Sequence, residues 1–360
     1  MLAKLHSYGL TGLEAYPVTI EVDVSQGLPT TTIVGLPDNA VKESRERVRS
    51  AIMNSGYDFS PQRITVNLAP ADIKKEGPAF DLAIALGILS ATEQISIQKL
   101  NQYVILGELS LDGHIQPVNG ILPIMLSINR YEFKGVIIPF QNATEAALAE
   151  HMNVYPVQNL KSAIQTLHEI DQVKPFKMEI QTLLQQNSSG DLDFADVKGQ
   201  QLIKRGLEVA AAGGHNVLLI GPPGSGKTML AKRLPTIIPD MNISECLETT
   251  QIHSVVGLNN TSGLITRRPF RAPHQTSSNM ALIGGGSIPR PGEISLAHNG
   301  VLFLDELPEF NRNVLETLRQ PLEDKYIQIS RALKSLKFPA NFMLICAMNP
   351  CGSVALWPLS

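Results

Sequence analysis

The stretch Asn216-Val217-Leu218-Leu219-Ile220-Gly221-Pro222-Pro223-Gly224-Ser225-Gly226-Lys227-Thr228 decides how this chain is read. It opens with an apolar run of strand character and closes on the pattern G-x-x-x-x-G-K-[ST]. Met229-Leu230-Ala231-Lys232-Arg233-Leu234 then reads as a helix. Strand, glycine-rich loop and helix in that order predict a phosphate-binding loop. The glycines let backbone N–H groups wrap around phosphate oxygens, and the helix points its positive N-terminus at them. Lys227 is placed to reach the β- and γ-phosphates, and the Thr228 hydroxyl to ligate Mg²⁺. Gly221, Pro222, Pro223, Gly224, Ser225, Gly226, Lys227 and Thr228 are therefore the expected contacts of ATP.

Such a loop needs an acidic partner on a neighbouring strand. Val301-Leu302-Phe303-Leu304-Asp305-Glu306 supplies it, 78 residues beyond Lys227. The apolar run carries Asp305 to its C-terminal end, where Mg²⁺ sits in sheets of this kind. Glu306 is then placed to orient or deprotonate an attacking water. A third apolar run, Phe342 to Ala347, leads to Asn349, which faces the γ-phosphate and can hold the lytic water. Continuous apolar runs of strand length fit a parallel sheet covered on both faces.

The bulk composition agrees with a folded, enzyme-sized chain. Over 360 residues, 43% are apolar and 18% charged, a globular balance. The net charge of −3 gives no global field for nucleic acid, and 5% aromatics argue against a base-stacking platform. Cys246, Cys346 and Cys351 make neither a disulfide framework nor a zinc site, which points to a reducing compartment. No run approaches the ~20 apolar residues of a membrane span, and Met1 to Gly9 lacks a signal-peptide core. A cytoplasmic protein is expected.

Residues 1–170 read as one α/β unit. Tyr16 to Val24 is strand-like, and Pro37-Asp38 offers a turn and an N-cap. From Val41 an amphipathic helix runs with Val41, Val48, Ala51 and Ile52 on one face. Glu43 and Arg47 form an expected i,i+4 pair, and Gly56 is the stop. Phe80 to Ser90 reads as a buried helix, and Tyr103 to Leu106 and Gly135 to Pro139 as buried strands. Residues 171–195 are polar and glutamine-rich, ending near Asn187-Ser188-Ser189-Gly190, and read as a linker. Residues 196–360 hold the phosphate loop and its partners.

Together these pieces resemble an AAA+ ATPase, with Walker A at Gly221–Thr228, Walker B at Asp305 and Glu306, and sensor 1 at Asn349. Phe270-Arg271-Ala272-Pro273-His274-Gln275-Thr276-Ser277-Ser278, Leu282 to Gly286 and Pro289 to Gly300 are similar to the magnesium-chelatase-like branch. Nearly the whole chain resembles the ComM (YifB-like) competence proteins. The fold class implied is α/β: a P-loop AAA+ parallel-sheet core preceded by a Lon-protease-like (ribosomal protein S5 domain 2-like) α+β domain. The Lon likeness lies in Lys75 to Asp81 and Gly107 to Gly113. The place of the Lon nucleophile holds Ala79, and Ile121 to Met125 contain no lysine where the second catalytic residue would fall. A Ser–Lys dyad needs both a hydroxyl and an amine, so proteolysis is not expected.

The resemblance also implies a homo-oligomer, a hexameric ring, that drives DNA branch migration and helps incoming DNA integrate during natural transformation. Gln251 to Gly292 contains no Asp or Glu but carries Arg267, Arg268, Arg271 and Arg290, with His253 and His274. A basic, hydroxyl-rich loop suits phosphate backbones, and these four arginines are the expected DNA contacts. The alternatives are a solvated loop contacting a neighbouring subunit, a chelatase-type motor that remodels a protein, and a nucleotide-binding module that does not turn over. The last follows from Gly352 to Ser360, which depart from the family pattern where a lid, an arginine finger and a sensor 2 arginine are implied. ATP and Mg²⁺ are expected to bind, with slow turnover by this chain alone.

Overall fold

The computed structural model describes residues 2–59, 61–96, 99–129, 131–180, 183, 192–258, 263–286, 289–330 and 335–350. The chain divides into two units, Met1–Ile180 with Gly257–Gly263, and Gln181–Val256 with Leu264–Ser360.

The first unit is built on a long hairpin. Strand β1 (Leu2–Thr11) runs antiparallel to β2 (Glu14–Ser25), with Leu2 opposite Asp23 and Thr11 opposite Glu14. Gly12, at φ 64, takes the left-handed turn that closes it. Around them lie β3 (Thr30–Val34), β4 (Arg63–Ala69), β5 (Tyr103–Ile105), a small hairpin β6 (Glu108–Leu109) and β7 (Ile115–Gln116), β8 (Gly135–Pro139) and β9 (Val154–Val157). The main sheet is mixed and seven-stranded, ordered β3-β4-β2-β1-β5-β8-β9.

Helix α1 (Asn39–Asn54) starts where the Asp38 side chain accepts the Val41 N–H at 2.8 Å. It buries Val41, Val48, Ala51 and Ile52, and Gly56 follows at φ 80. Helix α2 (Asp81–Ala91) is buried over almost its whole length. Gly87 lets it lie on the hairpin, because a Cβ there would stand 2.7 Å from Val22 Cγ2. Helices α3 (Ile121–Ser127), α4 (Ala143–Ala146) and α5 (Leu160–His168) complete the unit.

Arg47 departs from the expected pairing with Glu43. It turns inward, its Nε donating to Asp81 Oδ2 at 2.8 Å and its Nη2 to Asp81 Oδ1 at 3.2 Å. The Ser44 hydroxyl also donates to Asp81, and so does the Leu109 N–H, at 3.3 Å. Burial pushes the Asp81 carboxyl up, while Arg47 and Ser44 pull against that shift. A buried carboxylate outcompetes an exposed one for the guanidinium because water does not screen it.

The second unit holds a four-stranded parallel sheet. Its strands are β10 (Val217–Ile220), β11 (Phe270–Arg271), β14 (Val301–Leu304) and β17 (Met343–Met348), in the order β10-β17-β14-β11. Two further hairpins are β12 (Gly284–Gly285) with β13 (Arg290–Pro291), and β15 (Tyr326–Ser330) with β16 (Ser335–Pro339). Helices α6 (Gln201–Gly213), α7 (Lys227–Arg233) and α8 (Ile243–Val255) are the longest here among the described residues. Leu207, Ala210 and Ala211 of α6 pack with Phe303, Ile345 and Ala347 in the core.

Two expectations change. Coverage on both faces fails at the edge: Leu218 and Ile220 of β10 are 49% and 61% exposed, while Val217 and Leu219 meet the core. The acidic strand is not beside the phosphate-loop strand, because β17 lies between them. Of the expected linker, residues 181–182 and 184–191 lie outside the described residues. Phe194, near its end, is buried in the second unit's core. Among the described residues, no helix is long and apolar enough to cross a membrane.

Candidate functional site

The chain reverses at the C-terminal end of β10, and a loop follows. Gly221 N–H still donates to Met348 O at 3.3 Å, so the loop leaves the sheet paired to β17. Gly224 and Gly226 sit at φ 77 and 85, conformations that favour glycine. Ser225 N–H closes the loop on Pro222 O at 3.3 Å, and Gly226 caps α7. The Ser225 hydroxyl is buried and makes no hydrogen bond.

Seven expected residues meet by direct hydrogen bonds. Lys227 Nζ donates to Asn349 Oδ1 at 3.0 Å, and to the carbonyls of Gly221 and Pro222 at 2.7 and 3.0 Å. The Thr228 hydroxyl donates to Asp305 Oδ2 at 2.7 Å. Asp305 Oδ1 accepts the Glu306 N–H at 3.0 Å. Glu306 takes a left-handed backbone, φ 54 and ψ 49, a conformation worth on the order of 1–3 kcal/mol of strain for a non-glycine residue. Phosphate loop, Asp305 and Asn349 therefore stand together beyond the carboxyl ends of β10, β14 and β17, where parallel sheets bind ligands.

The donor set suits Mg²⁺. One hydroxyl and one carboxylate are what an ion needs that keeps its waters and borrows phosphate oxygens. No cluster of three metal-ligating His, Cys, Asp or Glu occurs among the described residues. Behind the site, burial pushes the Cys346 thiol up to about 11.

The four arginines separate. Arg267 and Arg290 are exposed. Arg268 turns inward, its Nε donating to Pro239 O at 2.6 Å and its Nη1 to Asn299 O at 2.7 Å, with Glu245 at 3.6 Å. Arg271 makes a two-pronged pair with Glu293, both bonds 2.6 Å. The stretch without acids in sequence is thus not without acids in space, because Glu245 and Glu293 flank it and fold back. His253 is buried against Leu296 O at 3.0 Å, and burial lowers its pKa. His274 Nδ1 lies 2.8 Å from the Thr276 hydroxyl.

Sequence reasoning missed Gln200. Its side chain donates to Ser225 O at 3.1 Å from a backbone at φ 52, so it braces the phosphate loop from the start of α6. A Gly-Gln pair just before a helix was the available signal. It also missed the β15–β16 hairpin, although Ile327 and Ile329 alternate with polar neighbours, as do Leu336 and Phe338. In the first unit, Ala79 O accepts the Gly107 N–H at 2.9 Å, and α3 spans the place where a Lon-type lysine would fall.

The family model for magnesium chelatase, subunit ChlI, matches residues 193–357, and one for subunit ChlI of Mg-chelatase matches residues 20–142. Competence protein ComM of Haemophilus influenzae is 49% identical over 351 residues, which cover 97% of this chain and 69% of that protein. The chain belongs to the ComM/YifB family. Within that family, YifB of Escherichia coli is 46% identical over 352 residues, covering 97% of this chain and 68% of that protein. Membership in the ComM/YifB family makes it an ATP-binding AAA+ protein of the magnesium-chelatase type. Lon protease 2 of Bacillus subtilis is 31% identical over 144 residues, 39% of this chain and 25% of that protein. That likeness marks a mixed α/β portion shared with Lon.

Proposed function

We propose that this chain binds Mg–ATP at residues 221–228 and works as a subunit of a cytoplasmic, hexameric DNA motor of the ComM type. In that role it drives branch migration and helps DNA integrate in natural transformation. The observation that carries the nucleotide reading is the paired contact of Lys227 with Asn349 and of Thr228 with Asp305. Lys227 exchanges its carbonyl and amide partners for β- and γ-phosphate oxygens. The freed Asn349 amide orients the attacking water, and Glu306 accepts its proton. Thr228 and Asp305 would hold Mg²⁺, which neutralises charge on the phosphates. Gln200 keeps the Ser225 carbonyl in place meanwhile. The first unit, with Ala79 in place of a nucleophile, serves assembly or partner contact.

For DNA, support comes from exposed Arg267 and Arg290 and from the β15–β16 hairpin. Lys337 of that hairpin lies 4.7 Å over the Tyr326 ring, and Arg331 and Lys334 fall between its strands in sequence. The test is single-stranded DNA binding across a salt series. Arg267→Ala with Arg290→Ala should weaken binding and lower the salt slope by about one per lost phosphate contact. Affinity and slope equal to the parent's would sink the DNA reading.

A second reading, a chelatase-type motor that remodels a protein, gains from the inward turn of Arg268 and Arg271. DNA-stimulated ATP turnover separates the two, since only the first expects it.

A further inference from the structure

The run Ser295-Leu296-Ala297-His298-Asn299-Gly300 leads into the start of β14, the end opposite Asp305, and it carries a buried polar network. His298 and Asn299 are 5% and 6% exposed, and Thr249 is fully buried. His298 Nδ1 accepts the Asn341 N–H at 3.0 Å, and its Nε2 lies 3.2 Å from Glu248 Oε2. Asn299 N–H donates to Asn341 O at 2.6 Å. The Asn299 side chain donates to Glu245 O and to the Thr249 hydroxyl, both at 3.3 Å. Arg268 closes the set by donating to Asn299 O.

Three positions in this network share one relation to the sheet. Arg268, Asn299 and Asn341 each lie two residues before the first residue of a parallel strand: Phe270 of β11, Val301 of β14 and Met343 of β17. All three are tied directly or through His298 to α8, which carries Glu245, Glu248 and Thr249. At the opposite ends of β14 and β17 stand Asp305 and Asn349. The strand Val301–Leu304 separates Asn299 from Asp305, a span of roughly 15–20 Å. A parallel pair is held by evenly spaced bonds and has no hairpin turn to fix its register. An anchor at the starting end supplies what the turn would.

We propose that His298 and Asn299 are positioning residues that set the axial register of the Asp305 strand against the Asn349 strand. The imidazole does this in a single form. Because Nδ1 accepts an N–H, the proton sits on Nε2 and is donated to Glu248. Burial lowers the His298 pKa and favours that neutral ring, with Glu248 opposing. Asn299 meets the turn with a left-handed backbone, φ 58, which Asn tolerates better than most residues. Gly300 must lack a side chain, since a Cβ would stand 2.1 Å from Pro269 O. The functional half of this proposal rests on the nucleotide reading above.

The test compares three variants of the full chain. In His298→Asn, the side-chain oxygen stands where Nδ1 stood and still accepts from Asn341. His298→Gln and His298→Ala lose that acceptor. Hydrogen exchange of the 340–343 segment should rise in Ala and Gln and stay near the parent's in Asn. A fluorescent ADP analogue, titrated with and without Mg²⁺, gives the second readout. The Mg²⁺-dependent gain in affinity should fall about tenfold in Ala and Gln, as expected for a group that orients a metal ligand. Mg²⁺-free affinity should stay within about twofold, because Arg268, His298, Asn299 and Asn341 anchor β11, β14 and β17 but not β10. Unchanged exchange in His298→Ala, or equal behaviour of Asn and Gln, overturns the register claim. Failure of the parent chain to bind the analogue at all defeats the nucleotide reading instead, and the exchange arm still decides the anchor.

Discussion

Lys227 Nζ and Asn349 Oδ1 stand 3.0 Å apart across 122 residues of chain, because β10 and β17 are paired to their last residues. Under the proposed function, the contact joins the group that would bind phosphate to the group that would orient water. Lys227→Ala should weaken ATP binding by about 1.5–3 kcal/mol, the range of a hydrogen bond to a charged group. Asn349→Ala should bind ATP within about threefold of the parent and lose turnover instead. Calorimetric titration of both variants checks this, and equal losses of affinity would break the assignment.

Asp305 has a different signature. Its Oδ2 accepts from Thr228, so Asp305→Asn preserves a partner for the hydroxyl while removing the charge. Mg²⁺ should then improve nucleotide affinity by at least about tenfold less than it does in the parent. Affinity in EDTA should be unchanged. A variant that keeps its Mg²⁺ response would move the metal elsewhere.

Arg47→Ala should destabilise the first unit by about 3 kcal/mol or more, because the Asp81 carboxylate is left buried without its cation. Asp81 is fully buried, and Arg47 supplies two of its bonds. Urea unfolding followed by hydrogen exchange reads the two units separately. A loss confined to a few tenths would show that Ser44 and the Leu109 N–H hold the carboxylate unaided. Glu43→Ala, by contrast, should be nearly silent.

The second unit should lose stability in mild acid. His253 and His298 both have pKa values lowered from 6.5, chiefly by burial. Below that value the unfolded chain binds protons that the folded chain refuses. The stabilisation is therefore complete above about 6.5 and drains away as pH falls toward the folded values. Thermal melts from pH 8 to pH 5 should show it, and His298→Asn should flatten the slope. A melt independent of pH over that range would mean the rings protonate in place.

The phosphate loop, Asp305 and Asn349 were legible because each is local: a strand and the polar residues at its end fit within a dozen residues. Partners that lie far apart in sequence were not. Arg47 read as the mate of Glu43, four residues away, and in fact meets Asp81. The acid-free run from Gln251 read as open positive charge, yet Glu245 and Glu293 reach into it from either side. Strand order was equally hidden, since apolar runs do not say which neighbour each will choose. The exposed Leu218 and Ile220 follow from β10 lying at an edge, a fact of topology and not of composition.

Strand β17 is hydrogen-bonded along both flanks, to β10 on one side and β14 on the other. Its last residue, Met348, pairs with Ile220, so Asn349 leaves the sheet beside the start of the phosphate loop. Under the proposed function, any movement around a nucleotide would fall to the glycine loop and the strained peptide at Glu306, which lie outside the strands. The candidate site is thus assembled around β17, one of the two inner strands of the sheet.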